Sequence, residues 1–125
     1  MIKGHGVDII KVERVKRMLN RFGERFKARI YTELEIDYCM TASNQVESFA
    51  ARLAAKEAVY KVLSKELEIL CWQEISVRWD GCLPVIYLTG NARVAAEKLG
   101  IEAWHLSLSH ERDYALASVI AEGGC

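Results

Sequence analysis

From Ile2 to Ile10 the residues alternate with a period of two, which predicts a β-strand. Lys3, His5, Val7 and Ile9 fall on one side, and Ile2, Gly4, Gly6, Asp8 and Ile10 fall on the other. Asp8 therefore shares its face with two glycines, and glycine inside a strand marks a place where another backbone or a ligand comes close. The period then changes. Val12, Val15, Leu19, Phe22 and Phe26 recur at helical spacing and leave Arg14, Arg17, Arg21 and Arg25 to other faces of the same helix, which Gly23 should weaken or bend. Thr32-Glu33-Leu34-Glu35 has the form of a capping box and predicts a short helix reaching about Met40.

A longer helix is expected from Ser43 or Asn44 to Leu63 or Leu67. Val46, Ala50, Leu53, Glu57 and Lys61 lie along one stripe of it, so a carboxylate interrupts an otherwise apolar face. Ala50, Ala51, Ala54, Ala55 and Ala58 keep side chains short, which lets other elements pack closely. Ile75, Val77 and Trp79 form one face of a further strand, Asp80-Gly81 turns the chain, and Val85 to Thr89 returns. Asn91 to Leu99, stopped by Gly100, reads as a helix. Trp104 to His110 and Tyr114 to Ala121 read as two strands joined at Glu111-Arg112-Asp113 by a turn suited to an antiparallel hairpin. Gly123-Gly124-Cys125 reads as a frayed tail. The fold class expected is α+β, with an antiparallel sheet packed against one long helix and shorter helices.

A chain of 125 residues with 51% hydrophobic content suits one domain with a modest core, small enough to gain core by self-association. Lys plus Arg and Asp plus Glu are both 17, so the total charge gives no reason to expect a nucleic-acid or anionic-membrane partner. No window approaches a membrane span, and Met1 to Gly6 lacks a long apolar stretch; a soluble, unexported, cytoplasmic protein is expected. Cys39, Cys71, Cys82 and Cys125 show no close pairing of the kind that builds a zinc knuckle or redox dithiol. In a reducing cytosol they read as free thiols, packed as small apolar residues or, for Cys125, loose at the end.

Asp8 and Glu57 are the first candidates for chemistry, because a hard cation such as magnesium takes one or two carboxylates plus waters and substrate phosphates. Two plainer roles compete: Asp8 as a cap for the following helix, and Glu57 as an i,i+4 ion-pair partner of Lys61. Lys61, one turn beyond Glu57, could hold a phosphate that a metal also binds. Lys56 points elsewhere and reads as a solvated or partner-facing charge. His110, preceded by Ser107 and Ser109, lies at a strand end, where phosphate binding, proton transfer and structural hydrogen bonding are all open; His5 and His105 read as structural. The arginines of the first helix could receive an acidic protein, or form a solvated face balanced by Glu13 and Glu24.

Gly6-Val7-Asp8-Ile9 together with the run from Phe49 to Lys61, Phe-Ala-Ala-Arg-Leu-Ala-Ala-Lys-Glu-Ala-Val-Tyr-Lys, resembles the two signatures of holo-acyl-carrier-protein synthases, the short 4'-phosphopantetheinyl transferases. Trp104 to His110 followed by Tyr114-Ala115-Leu116-Ala117 looks like a third stretch of that family, so the similarity spans nearly the whole chain. The resemblance implies that the 4'-phosphopantetheine group passes from coenzyme A to a serine of an apo acyl carrier protein, releasing 3',5'-ADP, in the service of fatty-acid biosynthesis. It implies Asp8 and Glu57 as magnesium ligands, Lys61 on the pyrophosphate, and Arg52 and His110 near the coenzyme A phosphates, with Ser109 beside them. It implies Arg14 and Arg21, with Arg17 and Arg25, as the carrier-docking surface, and a homotrimer with active sites at subunit interfaces. The group accepting the serine proton stays open among Glu57, solvent activated by the metal and His110, with the solvent favoured. The chain departs from the family after Lys61: a glycine-rich loop is usual there, whereas Val62-Leu63-Ser64-Lys65-Glu66-Leu67-Glu68 has no glycine and leaves Ser64 and Lys65 as the binding candidates. Asp80-Gly81-Cys82-Leu83-Pro84 also departs from the family's tighter Gly-x-Pro turn. A non-catalytic carrier-binding homologue and a metal-dependent phosphohydrolase are the alternatives.

Overall fold

The structure, a computed structural model, describes residues 1–124, so the expectation for Cys125 lies outside the described residues. Strand β1 (Ile2–Lys11) runs directly into helix α1 (Val12–Phe22). Gly23 then takes a positive φ of 53°, and its N–H donates to Leu19 O to close α1. The glycine does more than bend the expected helix: a separate helix α2 (Glu24–Ile30) starts after it. Helix α3 (Glu33–Thr41) begins at the capping box, where Glu35 N donates to Thr32 Oγ1 (3.2 Å) and Thr32 N to Glu35 Oε1 (2.9 Å). Helix α4 (Gln45–Leu63) is capped by Asn44, whose Oδ1 accepts from Glu47 N at 3.0 Å. It ends at the nearer of its two expected limits, and Glu66 N and Leu67 N then fold back onto Leu63 O.

A 3-10 turn, Trp72–Glu74, which the sequence pattern does not announce, leads into strands β2 (Ile75–Asp80) and β3 (Leu83–Leu88). Helix α5 (Gly90–Lys98) and strands β4 (Ala103–His110) and β5 (Tyr114–Glu122) complete the order. The sheets are antiparallel: one has three strands in the order β1-β5-β4, and the other is the β2-β3 hairpin. The α+β architecture is therefore the one expected.

Helix α4 lies across β1 and β5. It is buried around most of its circumference, not along one stripe, because its alanines present almost no bulk to any neighbour. Its closest neighbour is β1: a methyl group added at Gly6 would overlap the carbonyl oxygen of Ala58, and one added at Gly4 would press on Val62. The two glycines of the β1 pattern are thus the gap into which α4 settles. Ala115, Ala117 and Val119 of β5 meet the same helix and are fully buried.

Three expectations are corrected. Lys56 is fully buried, not solvated or facing a partner, because it finds a carboxylate inside the core. The tail is not frayed over the described residues: Gly123 N donates to Met1 O at 2.9 Å, the Met1 ammonium donates to Gly123 O at 3.0 Å, and Gly124 N donates to Glu102 Oε1 at 3.2 Å. Cys39 packs in the core as expected, but Cys71 and Cys82 are exposed, since each lies in a connection between elements. Replacing Gly6 by alanine should cost about 1–3 kcal/mol by forcing β1 away from α4, read as a lower urea midpoint at unchanged m-value.

Candidate active site

The close approach of β1 to α4 decides where the acidic residues fall. Asp8 follows Gly6 by one strand period and Glu57 precedes Ala58, so the two carboxyls flank the contact and come within hydrogen-bonding reach of each other. Neither competing role is adopted: the start of α1 has no side-chain cap, and Lys61 pairs with Asp8 instead of Glu57. Lys61 Nζ lies 3.1 Å from Asp8 Oδ1 and donates to Val7 O at 2.8 Å. Among the described residues, Asp8 Oδ2 is buried with no hydrogen-bond partner.

Burial first, then the adjoining Asp8 carboxyl and its charge, push the Glu57 carboxyl up to about 7, while Arg14 and Lys61 pull it the other way. Two carboxylates this close, one with an orphaned oxygen, suit a divalent cation. Among the described residues no cluster of three His, Cys, Asp or Glu side chains forms, so an ion held here would draw its other ligands from solvent or substrate. That is the habit of magnesium, which keeps waters and phosphate oxygens around one or two carboxylates.

A second group forms where α3, α4, β2 and β4 meet. Arg52 is only 3% exposed, yet it lines a cavity of about 350 Å³ with Tyr38, Asn44, Ser48, Trp79 and His110. Its Nη1 donates to Ser48 O (3.2 Å) and Ser48 Oγ (3.0 Å), and its guanidinium lies 4.2 Å from the Tyr38 ring centre. Nε and Nη2 have no partner among the described residues. A buried guanidinium with unmet donors is costly unless an anion arrives, so the cavity has the chemistry of an anion site. Tyr38 stacks on Trp79 at 5.6 Å and 28°, giving that site an aromatic wall. His110 Nδ1 is 3.6 Å from Glu47 Oε1.

Of the residues singled out from sequence, Asp8, Glu57 and Lys61 form one group, and Arg52 and His110 another. Ser109 lines a different cavity of about 280 Å³ with His110, Ile9, Glu111 and Tyr114. Ser64 donates to Lys61 O at 3.2 Å, and Lys65 faces a third cavity with Asn91 and Lys98. Arg14, Arg17 and Arg21 line a groove on α1 with Met18, and Arg25 lines the next one with Met18, Phe22, Phe26 and Arg29. His5 and His105 lie beside Ser118 Oγ at 3.3 Å and Glu122 Oε1 at 3.0 Å, apart from both groups. Sequence reading missed Tyr38, Glu47 and Trp79, which nothing local marks. Sequence reading passed over Met18 and put Phe22 on the apolar stripe of the helix, but both are exposed, one helical turn apart among the arginines, as an amphipathic docking surface would have them.

Residues 4–119 match the 4'-phosphopantetheinyl transferase superfamily. A holo-[acyl-carrier-protein] synthase of Halothermothrix orenii is 42% identical over 125 residues, covering 99% of this chain and all of that one. The crystal structure of holo-[acyl-carrier-protein] synthase from Neisseria meningitidis superposes with a TM-score of 0.86 at 33% identity, covering 98% of this chain and 99% of that one. The Bacillus anthracis holo-(acyl-carrier-protein) synthase, solved in complex with CoA (3',5'-ADP), superposes with a TM-score of 0.77 at 31% identity over 99% of both chains. With family match, full-length relatives and fold in agreement, the chain belongs to the holo-acyl-carrier-protein synthases of the 4'-phosphopantetheinyl transferase superfamily.

Proposed function

We propose that this chain transfers 4'-phosphopantetheine from coenzyme A to a serine of an apo acyl carrier protein in a magnesium-dependent reaction that releases 3',5'-ADP. The observation carrying this reading is the meeting of Asp8, Glu57 and Lys61 at the β1–α4 contact. The serine oxygen attacks the β-phosphorus of coenzyme A, the bond from that phosphorus to the bridging oxygen breaks, 3',5'-ADP leaves with the electron pair, and the serine proton passes to solvent. Asp8 and Glu57 would hold magnesium, which when bound offsets the charge building on the diphosphate. Lys61 then turns from Asp8 to the same phosphates. Arg52, with its two free nitrogens, and His110 take a phosphate on the nucleotide side, while Ser109, Ser64 and Lys65 border the path of the substrate. Arg14, Arg17, Arg21 and Arg25 attract an acidic carrier, and Met18 and Phe22 give it an apolar seat.

The larger sheet turns an uncovered face away from α4, with Val7, Ile9, Tyr114, Leu116 and Ile120 exposed on it. We place the subunit contacts of a homotrimer there, beside the Ser109–His110 cavity, so that each active site sits near a boundary between copies. Light scattering should therefore return three times the 14.2 kDa chain mass, and a monomer would remove this part of the proposal. A cytoplasmic location and a single catalytic domain complete the reading; among the described residues no helix is long and apolar enough to cross a membrane.

Incubating apo acyl carrier protein with the chain, coenzyme A and magnesium should add one phosphopantetheine mass to the carrier. Carrier binding without added mass would mark a non-catalytic binder, and coenzyme A cleavage without acceptor would mark a hydrolase. Glu57→Gln should lower kcat at least about a hundredfold with the circular dichroism spectrum unchanged, because an amide is a poor magnesium ligand. Metal binding should also depend on pH. Glu57 is protonated below about 7 in the metal-free protein, so the ion must displace a proton there, and the apparent Kd should weaken by about tenfold per pH unit on going lower. Calorimetry between pH 5.5 and 8 checks this; a flat profile would exclude Glu57 as a ligand. The sign for stability follows from the same shift. A carboxyl raised in the folded state stabilises the metal-free protein at low pH, and that contribution is lost as pH rises through about 7.

A further inference from the structure

We infer that Lys56, the neighbour of Glu57, is a positioning residue for the transfer reaction: its buried pairing with Glu35 sets the roll of α4 and so holds Glu57 opposite Asp8. The inference deepens the transferase reading and rests on it. Lys56 and Glu35 side chains are both 0% exposed, with Nζ 2.7 Å from Oε1. Nζ also donates to Trp72 O (3.1 Å) and to Ile75 O, so all three ammonium hydrogens have acceptors. Glu35 is equally committed: Oε1 accepts from Thr32 N, and Oε2 accepts from Val77 N at 2.9 Å. The start of α3, the middle of α4, the 3-10 turn and β2 are thus joined through one charge pair.

An ion pair at this depth is weak evidence for stability, since apolar residues of similar volume often serve as well. What it supplies is direction. Elsewhere α4 packs through Ala50, Ala51, Ala54, Ala55 and Ala58 and through Phe49, Leu53, Val59 and Leu63, apolar contacts that fix distance more than direction, and its hydrogen bonds to Tyr31 and Val7 lie toward the two ends of the helix, so the directional anchor nearest Glu57 is Lys56. Hydrogen bonds have preferred angles, and those of Lys56 point about 100° around the helix from Glu57. A roll of about 10° would carry a side-chain tip roughly 1 Å, and a displacement of that size can cost about a hundredfold in rate. The network reaches the anion cavity as well. Tyr38 lies one turn after Glu35 on α3, and Trp79 lies two residues after Val77 on β2, so the pair that fixes Glu57 also fixes the stacked rings beside Arg52.

The test uses Lys56→Met and Glu35→Gln, assayed at a temperature where circular dichroism shows each fully folded. Transfer kcat should fall about a hundredfold for K56M and about tenfold for E35Q. Binding of Mn²⁺ alone, read from the paramagnetic resonance of the free ion, should weaken about tenfold in K56M. A pair that matters only for stability would lower the thermal midpoint and leave kcat per folded molecule and Mn²⁺ affinity at wild-type values, which would overturn the inference. E35Q keeps size and an acceptor oxygen, and decides alone if K56M does not fold. Should the wild-type chain itself transfer nothing, the functional reading falls separately. The crystal structure of E35Q then decides: a rolled α4 with Glu57 drawn away from Asp8 supports positioning, and an unmoved pair overturns it.

Discussion

The contact between the backbone of β1 at Gly6 and the carbonyl of Ala58 on α4 is the constraint from which the active site follows. No side chain fits between the two elements, so the strand and the helix are held at backbone distance. Asp8 and Glu57 are the acidic residues nearest to that contact on the strand and on the helix. Two acids that would repel each other in an open structure are pressed together by the packing of small residues around them. The cost of that arrangement is offset by the core that α4 builds with β5, in which Ala117 and Val119 have no exposed surface.

Two unmet electrostatic demands stand in this small fold. Burial and the nearby Asp8 raise the Glu57 carboxyl in spite of Lys61 and Arg14, and among the described residues Arg52 presents buried donors with no acceptor. On the proposed function, a metal ion with a phosphorylated nucleotide would answer both at once, the cation on the acids and a phosphate on the guanidinium. The same reasoning explains why neither group resolves itself internally. Lys61 is more than half exposed and can swing away, whereas Arg52 is anchored by Ser48 and Tyr38 and cannot reach the acids.

Much of this was legible in the sequence because it is written in local pattern. The alternation of β1, its two glycines, the Thr32–Glu35 box and the alanines of α4 each specify geometry within a few residues, and the structure follows them. Lys56 was misread for a physical reason. Charge in a helical pattern reads as exposure, and its partner Glu35 already had a complete explanation as a capping residue, while its second oxygen serves Lys56's surroundings through Val77. The Tyr38–Trp79 wall was illegible because it depends on how α3 meets the β2-β3 hairpin, which no short-range spacing encodes. Gly123 was misread because a terminal glycine looks unconstrained until the strand beside it is known.

The β2-β3 hairpin belongs to a separate sheet, although it supplies Trp79 to the cavity and ends in an exposed turn at Gly81 and Cys82. This divides the molecule into regions of unequal mutational tolerance. The β1–α4 seam is closed to enlargement, since even one methyl group has no room at Gly6. Change is absorbed instead at the exposed turn of the hairpin, where a methyl group added at Gly81 would meet open space, whereas β2 itself is tied to the helix that carries Glu57 through Ile75 and Val77.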